Sequence, residues 1–312
     1  MKIFLVCCRK DQQKNMQNLE KIKRAEKPHS GTKPESENAT PVAEEFQVVT
    51  RKKWIARKCL SRRNRHKSET DYLNDCPDVD VDRFEIRLKR LCSEMMKSDY
   101  FILSMEVLQQ QMDILNLQRP LERVVCLGLG PFTRTHQAMH QAAFVMGLQR
   151  HTNVKEVLYY DPVFRDTEKE LIERFKGILI SENSAGKDEA KVVTLYYLPH
   201  CPYALMNNLL WSNWHREKLN NVLLICNSFE MLTLNQRVSR DDHINRITKH
   251  CIETQLEDDY EHQNVFNDLS LHIFPTVLLP HETDTKFWTR CPLLKVNEDE
   301  ISEVMNDVNL NG

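Results

Sequence analysis

The sequence contains little glycine and no long apolar run. Only seven of its 312 residues are glycine, which excludes a glycine-rich linker or repeat protein. Its longest apolar runs are well short of the roughly 20 residues that cross a bilayer, so no transmembrane helix and no membrane partner are expected. The apolar start, MKIFLVCC, meets Arg9-Lys10 at once and has no small-residue cleavage site, so a secretory signal is not expected.

The ten cysteines form no Cys-x-x-Cys pair and no regular framework. Without an export signal, this usage predicts reduced thiols in a protein of the cytoplasm, with the nucleus as a second location. The formal net charge is −2 and the mean hydropathy is −0.55, which indicates a globular chain with polar tails. Composition therefore predicts the class of protein but not its activity.

Residues 1–80 are rich in charged and amide side chains and have few periodic apolar positions. Such a segment cannot bury enough apolar surface to offset its ordering entropy, so a largely disordered, basic N-terminal region is predicted. Within it, residues 51–67 hold nine Lys or Arg and no acidic residue. This run is interpreted either as an import-receptor or weak polyanion contact, or as a solvated charged tail. The candidate contact residues are Arg51, Lys52, Lys53, Arg57, Lys58, Arg62, Arg63 and Arg65.

From residue 81 the pattern changes to helical spacing, which predicts a helical lead-in over 81–118. After Arg123, short apolar runs alternate with helix-length segments. Strands are predicted at 124–127, 157–160, 178–180, 192–198 and 222–226, with helices at 135–149, 166–175 and 203–211. A long helix is predicted over 241–256. A final strand over 270–279 is placed at a sheet edge because Pro275 interrupts it.

This alternation predicts an α/β fold: a Rossmann-like, doubly wound, mostly parallel sheet with helices on both faces. A single domain would span 81–283, followed by a C-terminal tail over 284–312. Ligands of such sheets bind beyond the carboxyl ends of the strands. Polar residues and glycines follow those ends here, and they predict one ligand-binding cleft. Its candidate residues are Gly128, Gly130, Asp161, His200, Cys201, Asn207, Asn208, Trp211, Asn227 and Ser228.

The turn Gly128-Leu129-Gly130 is a partial dinucleotide fingerprint. Thr133 stands where the third glycine would be, so a nucleotide or S-adenosylmethionine site and an ordinary tight turn both remain open. Asp161 would suit a ribose hydroxyl pair, or it could cap an Asp-Pro turn. No Ser-His-Asp order, Walker loop or pair of catalytic carboxylates is identified, and no catalytic residue is predicted.

Cys201 belongs to one of three Cys-Pro dipeptides, a sequence that can present a thiolate to haem iron. It is therefore a weak candidate for a haem ligand, and the alternative is a buried, inert thiol. His136 and His140 lie four residues apart on the predicted helix, a spacing that can hold zinc. Gln137 replaces the glutamate of HExxH and no third ligand is evident, so no metal site is predicted.

Five segments together resemble the Sensitivity-to-Red-Light-Reduced family, in order and at fitting distances. They are VVCLGLGPF, EVLYYDPVF, TLYYLPHCPYALMNNLLWSNW, VLLICNSFE and FNDLSLHIF. The resemblance implies a regulatory protein rather than an established enzyme. Plant relatives are associated with light signalling and the circadian clock, animal relatives with clock gene expression and control of haem biosynthesis, and fungal relatives with microtubule stability. Cys226 stands where the family pattern suggests glycine.

Two classes of function follow. The first is a non-catalytic regulatory protein of clock gene expression and haem biosynthesis, which binds a small ligand or a protein partner at the strand ends. The alternative is a Rossmann-like transferase that uses S-adenosylmethionine or a nucleotide. Binding of nucleic acid through residues 51–67 would be a third activity, recognisable by its strong dependence on salt.

Overall fold

A computed structural model describes residues 80–115, 120–234, 239–256, 259–262 and 264–296. The predicted disordered region lies outside the described residues up to position 79, and with it the whole basic run 51–67. The end of the predicted C-terminal tail, after position 296, also lies outside them. None of the helices in the described ranges is long and apolar enough to cross a membrane.

Seven strands form one mixed sheet. They are β1 (Arg123–Leu127), β2 (Glu156–Tyr160), β3 (Ile178–Leu179), β4 (Thr194–Leu198), β5 (Val222–Asn227), β6 (Ile252–Gln255) and β7 (Leu269–Ile273). The helices are α1 (Val81–Met95), α2 (Asp99–Ile114), α3 (His136–Thr152), α4 (Asp166–Arg174), α5 (Tyr203–Ser212), α6 (Arg216–Leu219), α7 (Phe229–Leu234), α8 (His243–Ile247) and α9 (Thr285–Trp288). A 3-10 turn at Thr248–His250 follows α8.

The strand order is β3-β2-β1-β4-β5-β7-β6. Strands β1 to β5 pair in parallel, whereas β7 is antiparallel to both of its neighbours, β5 and β6. The predicted α/β fold with a mostly parallel sheet is therefore confirmed. The carboxyl ends of β1, β2 and β4 lie side by side, and this places the loops that follow them at one edge of the sheet.

Apolar side chains cover both faces of the sheet because neighbouring residues of a strand point to opposite sides. In β1, Val124 and Cys126 pack on the face that carries α1 to α4. Val125 and Leu127 pack on the other face, against α5 to α8. Helices thus shield both faces, as predicted, and this explains why the strands have nearly unbroken apolar sequences.

The predicted helical lead-in forms two helices, each started by a side-chain cap. Asp80 accepts a hydrogen bond from the backbone N–H of Arg83 at 3.1 Å, and Ser98 accepts one from Phe101 at 3.2 Å. These caps satisfy backbone donors that a helix leaves unpaired at its start. Helix α1 packs its apolar stripe on α3, the helix that follows the glycine turn.

Two predicted elements are wrong. Residues 241–256 form the short helix α8, a 3-10 turn and strand β6 rather than one long helix, because pairing of β6 with β7 overrides the local helical pattern. The last strand ends at Ile273, before Pro275, and lies between β5 and β6 rather than at an edge. Since Pro275 is outside the ladder, its missing N–H costs the sheet nothing.

A buried polar network joins β5, β6 and β7. His272 is fully buried, and its Nδ1 lies 3.1 Å from the carbonyl oxygen of Leu224. Its Nε2 lies 3.4 Å from Oε2 of Glu253, which also accepts from the backbone N–H of Glu230. Burial opposes ionisation of Glu253, but the hydrogen bonds prevail and lower its pKa from 4.5 to about 2.

This network predicts a pH-dependent effect of Glu253→Gln. Because the folded chain lowers the pKa of Glu253, ionisation of that carboxyl stabilises the fold above pH 4.5, and the contribution is lost as the pH falls towards 2. We expect the variant to lose about 2–3 kcal/mol of unfolding free energy near neutral pH. The difference from the wild type should shrink below pH 4.5 in urea denaturation.

Glu182→Gln is the matched control, since Glu182 is exposed in the loop after β3. It should change stability little at any pH. A cost of Glu253→Gln that stays constant from neutral to acid pH would contradict the assignment.

Candidate functional site

A partly open cavity with a volume of about 100 Å³ lies at the carboxyl ends of β1, β2 and β4. That volume can hold several water molecules or a small organic group. The loops after these three strands and after β3, the start of α3, Leu205 of α5 and Val296 surround it. Its lining consists of Leu127, Gly128, Leu129, Thr135, Gln137, Ala138, Gln141, Tyr160, Asp161, Pro162, Asn183, Ser184, Gly186, Pro199, His200, Cys201, Pro202, Leu205 and Val296.

The glycine turn after β1 is held to the end of β2 by the Asp161 carboxylate. Oδ2 of Asp161 accepts from the backbone N–H of Gly130 at 2.7 Å, and Oδ1 accepts from Val163 at 3.0 Å. Gly128 and Gly130 have φ angles of +68° and +78°, in the left-handed region that favours glycine. The turn therefore has a fixed shape that both its glycines and this carboxylate impose.

Asp161 is 6% exposed. Burial raises its pKa, and the hydrogen bonds from Val163 and Gly130 oppose that rise. The bond to Val163 has the geometry of the predicted Asp-Pro turn. The bond to Gly130 joins two loops that are separated along the chain but adjacent in the sheet, a contact that sequence reasoning did not predict. Because each carboxylate oxygen has a second lone pair, the same group can also accept a bond from a ligand hydroxyl.

Cys201 packs directly under the glycine turn. Its thiol donates to the carbonyl oxygen of Leu127 at 3.3 Å, and a Cβ atom added to Gly128 would overlap its sulfur. Burial, followed by the nearby charge of Asp161, raises the pKa of the Cys201 thiol well above its ordinary value. These contacts favour a neutral, packed thiol over the thiolate that an axial haem ligand would need.

His200 also lines the cavity, beside Cys201. It has a φ angle of +53°, an uncommon conformation for a residue with a side chain, and its Nε2 lies 3.3 Å from the carbonyl oxygen of Val265. The half-buried imidazole is thus positioned by the segment before β7. Four of the ten predicted site residues line the cavity: Gly128, Asp161, His200 and Cys201. Gly130 lies outside the lining, but its backbone N–H donates to the Asp161 carboxylate.

The three predicted residues of α5 lie outside the lining. The Asn208 side chain bonds the backbone of Ala185 and Leu294, at 2.9–3.0 Å. The Asn207 Oδ1 accepts from the backbone N–H of Ile244 at 3.2 Å. The Arg290 guanidinium lies over the Trp211 ring, 4.7 Å from the ring centroid. These side chains attach other segments to α5, including residues that the sequence assigned to a C-terminal tail.

The two predicted residues at the end of β5, Asn227 and Ser228, are also outside the lining. Asn227 continues the pairing of β5 with β7, opposite Leu269. The Ser228 hydroxyl oxygen accepts from the backbone N–H of Met231 at 3.1 Å, within the first turn of α7. The loop after β5 therefore starts a helix, whereas the loops after β1, β2 and β4 enclose the cavity.

Sequence reasoning missed several lining residues. Gln137 and Gln141 lie one turn apart on α3, and Gln141 Nε2 donates to the carbonyl oxygen of Val265 at 2.8 Å. Asn183 and Ser184 belong to the loop that follows β3. The two glutamines are four residues apart and therefore share one face of α3, next to the His136–His140 pair. This spacing is the sequence feature that could have identified them.

Beside the cavity, His262 lies against the His136–His140 pair, although no third ligand was evident from the sequence. One nitrogen of each ring lies within 4.8 Å of the others. Burial, with a smaller effect of neighbouring positive charges, lowers the pKa of His136. The same causes lower the pKa of His140 to about 3. The imidazoles of His136 and His140 are therefore mostly neutral near pH 7.

Comparisons with known proteins agree on one family. The model of the SRR1 domain matches residues 105–273. An SRR1-like protein of Drosophila melanogaster is 67% identical over 258 residues, which are 83% of this chain and 92% of that protein. The mouse SRR1-like protein is 40% identical over 113 residues, 35% of this chain and 45% of its own length. The Arabidopsis thaliana Protein SENSITIVITY TO RED LIGHT REDUCED 1 is 28% identical over 207 residues, 62% and 73% of the two chains.

The contact between Gly128 and Cys201 predicts a coupled effect of two substitutions. Gly128→Ala should lower the unfolding free energy by about 2–4 kcal/mol, because its Cβ meets the Cys201 sulfur and its φ angle is positive. In a Cys201→Ala background the cost should fall to about 1 kcal/mol, which is the remaining backbone strain. Urea denaturation of the four chains measures the coupling.

Gly186→Ala is the matched control. Gly186 has a φ angle of +82°, and its added Cβ would meet the backbone carbonyl of Leu205 instead of a thiol. Its cost should be equal with and without Cys201→Ala. An unchanged cost of Gly128→Ala in the Cys201→Ala background would show that the sulfur does not explain the glycine.

Proposed function

Because the chain belongs to the SRR1 family, we propose that it is a regulatory protein that binds a small organic ligand in the cavity at the carboxyl ends of β1, β2 and β4. The family resemblance stated from the sequence is confirmed by these relatives. The observation that carries the ligand proposal is the cavity itself, formed where three parallel strands end next to the glycine turn. This is the edge at which α/β sheets bind their ligands.

The composition of the lining supports a small ligand. Leucine, alanine, proline and valine supply eight of the nineteen lining residues, and a few polar groups converge from separate loops. Asp161, His200 and Gln137 are the polar groups on which the proposal rests. Ligand sites typically combine an apolar wall with a small number of placed polar groups, which fix the orientation of the ligand.

The N-terminus of α3 adds a preference for an acidic group on the ligand. Thr135 is the N-cap residue of α3 and lines the cavity, and its side chain forms no cap hydrogen bond. The first backbone N–H groups of a helix lack partners within the helix, and the helix dipole favours negative charge there. A carboxylate or phosphate on the ligand would complement this end of the cavity.

The regulatory part of the proposal follows the family. The Arabidopsis relative is named for reduced sensitivity to red light. We place this chain in the control of clock gene expression and of haem biosynthesis, as its sequence resemblance implies. Ligand occupancy of the cavity would be the signal that the protein passes to its partners.

A second candidate function is a transferase that uses S-adenosylmethionine. The sheet is open and mostly parallel, and sheets of this type bind nucleotide cofactors beyond the carboxyl ends of their strands. The glycine turn and the acidic residue after β2 occupy the places that a nucleoside would need. The glycine turn and this acidic residue favour the candidate, which shares the cavity with the first.

Ligand binding is tested by thermal shift and calorimetry on the full chain. The probes are S-adenosylmethionine, S-adenosylhomocysteine, ATP, NAD⁺ and haemin. At 100 times its Kd, a bound probe should add about 2.7 kcal/mol of stability, which corresponds to about 5–10 °C. Leu205→Trp fills the cavity and should abolish the shift, whereas Val277→Trp places the same bulk on an exposed position and should keep it.

The outcomes separate the candidates. A shift with S-adenosylmethionine and its homocysteine product alone, lost in Asp161→Ala, would favour the transferase. A shift with another probe would favour the regulatory ligand site, and cells that lack the chain should then regain clock transcripts and haem levels with Val277→Trp but not with Leu205→Trp. No shift with any probe, or an equal shift in Leu205→Trp, would contradict the proposal.

A further inference from the structure

Three histidines from two distant parts of the chain meet on the surface of α3. His136 and His140 are one helical turn apart, and His262 comes from residues 259–262, between β6 and β7. The ring centroids of the three pairs are 4.2, 4.5 and 4.6 Å apart. The cluster is built from imidazole, the side chain that most often binds zinc, copper or nickel in proteins.

The spacing of the ring nitrogens is close to that of a metal site. The three potential donor atoms lie within 4.8 Å of one another. Zinc binds imidazole nitrogen at about 2.0–2.1 Å in a tetrahedron, so bound donors are about 3.3 Å apart. His136 is exposed and His262 is half-buried. Rotation of these two side chains can close the remaining gap around the buried His140.

A neighbouring tyrosine orients the buried member of the cluster. The Tyr260 hydroxyl lies 2.6 Å from Nδ1 of His140, and both residues are largely buried. Imidazoles that bind metals typically use one nitrogen for the metal and the other for a hydrogen bond to a group of this kind. The tyrosine thereby leaves Nε2 of His140 as the donor for a metal.

Charges near the cluster are of both signs. Arg87 of α1 acts on His136 and His140 as a neighbouring positive charge. Oε1 of Glu261 lies 3.5 Å from Nε2 of His262. Its carboxylate can orient the His262 ring by accepting from one nitrogen while the other faces the cluster, and its charge offsets that of Arg87.

We propose that His136, His140 and His262 bind one divalent transition metal of the zinc class, with a fourth position open to solvent. The site would join α3 to residues 259–262 next to the place where Gln141 of the same helix already bonds Val265. Three imidazoles with one open position also form the ligand set of catalytic zinc sites. The site is independent of the ligand proposed for the neighbouring cavity, whose lining includes none of the three histidines.

Metal binding is measured on the full chain after removal of metals with a chelator. Titration with Zn²⁺ in a calorimeter and the visible absorption of bound Co²⁺ report the site. We expect one tetrahedral site that His136→Ala and His262→Ala each weaken by more than about 100-fold. His136 is exposed, so its variant should stay folded even if His262→Ala does not. Tyr260→Phe should weaken binding by about 10-fold, the effect of losing an orienting partner.

His281→Ala is the matched control. His281 is exposed and its Nδ1 lies 2.9 Å from the hydroxyl of Thr283, within its own loop. This variant should bind Zn²⁺ and Co²⁺ as the wild type does, because it removes an exposed imidazole that lies outside the cluster. A wild type without tetrahedral Co²⁺ absorption, or His136→Ala with unchanged binding, would overturn the proposal and leave the three rings as a packing contact.

Discussion

The arrangement of the cavity depends on one buried carboxylate. Asp161 stands at the end of β2 and accepts hydrogen bonds from Gly130, in the turn after β1, and from Val163, in its own turn. A buried charge is costly unless hydrogen bonds replace the lost water, and the two backbone N–H groups supply that replacement. Because the carboxylate bridges two loops, the shape of the glycine turn and the position of the β2 loop are set together.

The rest of the cavity follows from the order of the strands. Placing β1 between β2 and β4 brings the loop 199–202 against the glycine turn, where the Cys201 sulfur occupies the space that a side chain at position 128 would need. The loop after β5 has a different role. It starts α7 above His272 and Glu253, and this polar network closes that part of the sheet.

Much of the fold was predictable because its signals are local. Short apolar strands followed by Gly128, Asp161 and Cys201 placed three loops at one edge, and the structure agrees on all three. The function of Asn208 was not predictable, since its partner Leu294 is 86 positions away. Strand β6 was mistaken for helix because its pairing with β7 is a tertiary contact. His262 was missed for the same reason: nothing in the sequence around His136 points to a residue so distant.

The most direct test of this account measures hydrogen exchange of backbone amides in the wild type and in Asp161→Ala. If the carboxylate joins the two loops, the amides of Gly130 and Val163 should lose protection in the variant, while those of Val125 and Cys126 in β1 keep theirs and show that the sheet is intact. Unchanged exchange at Gly130 and Val163 would contradict the account, because the glycine turn would then hold its shape without Asp161.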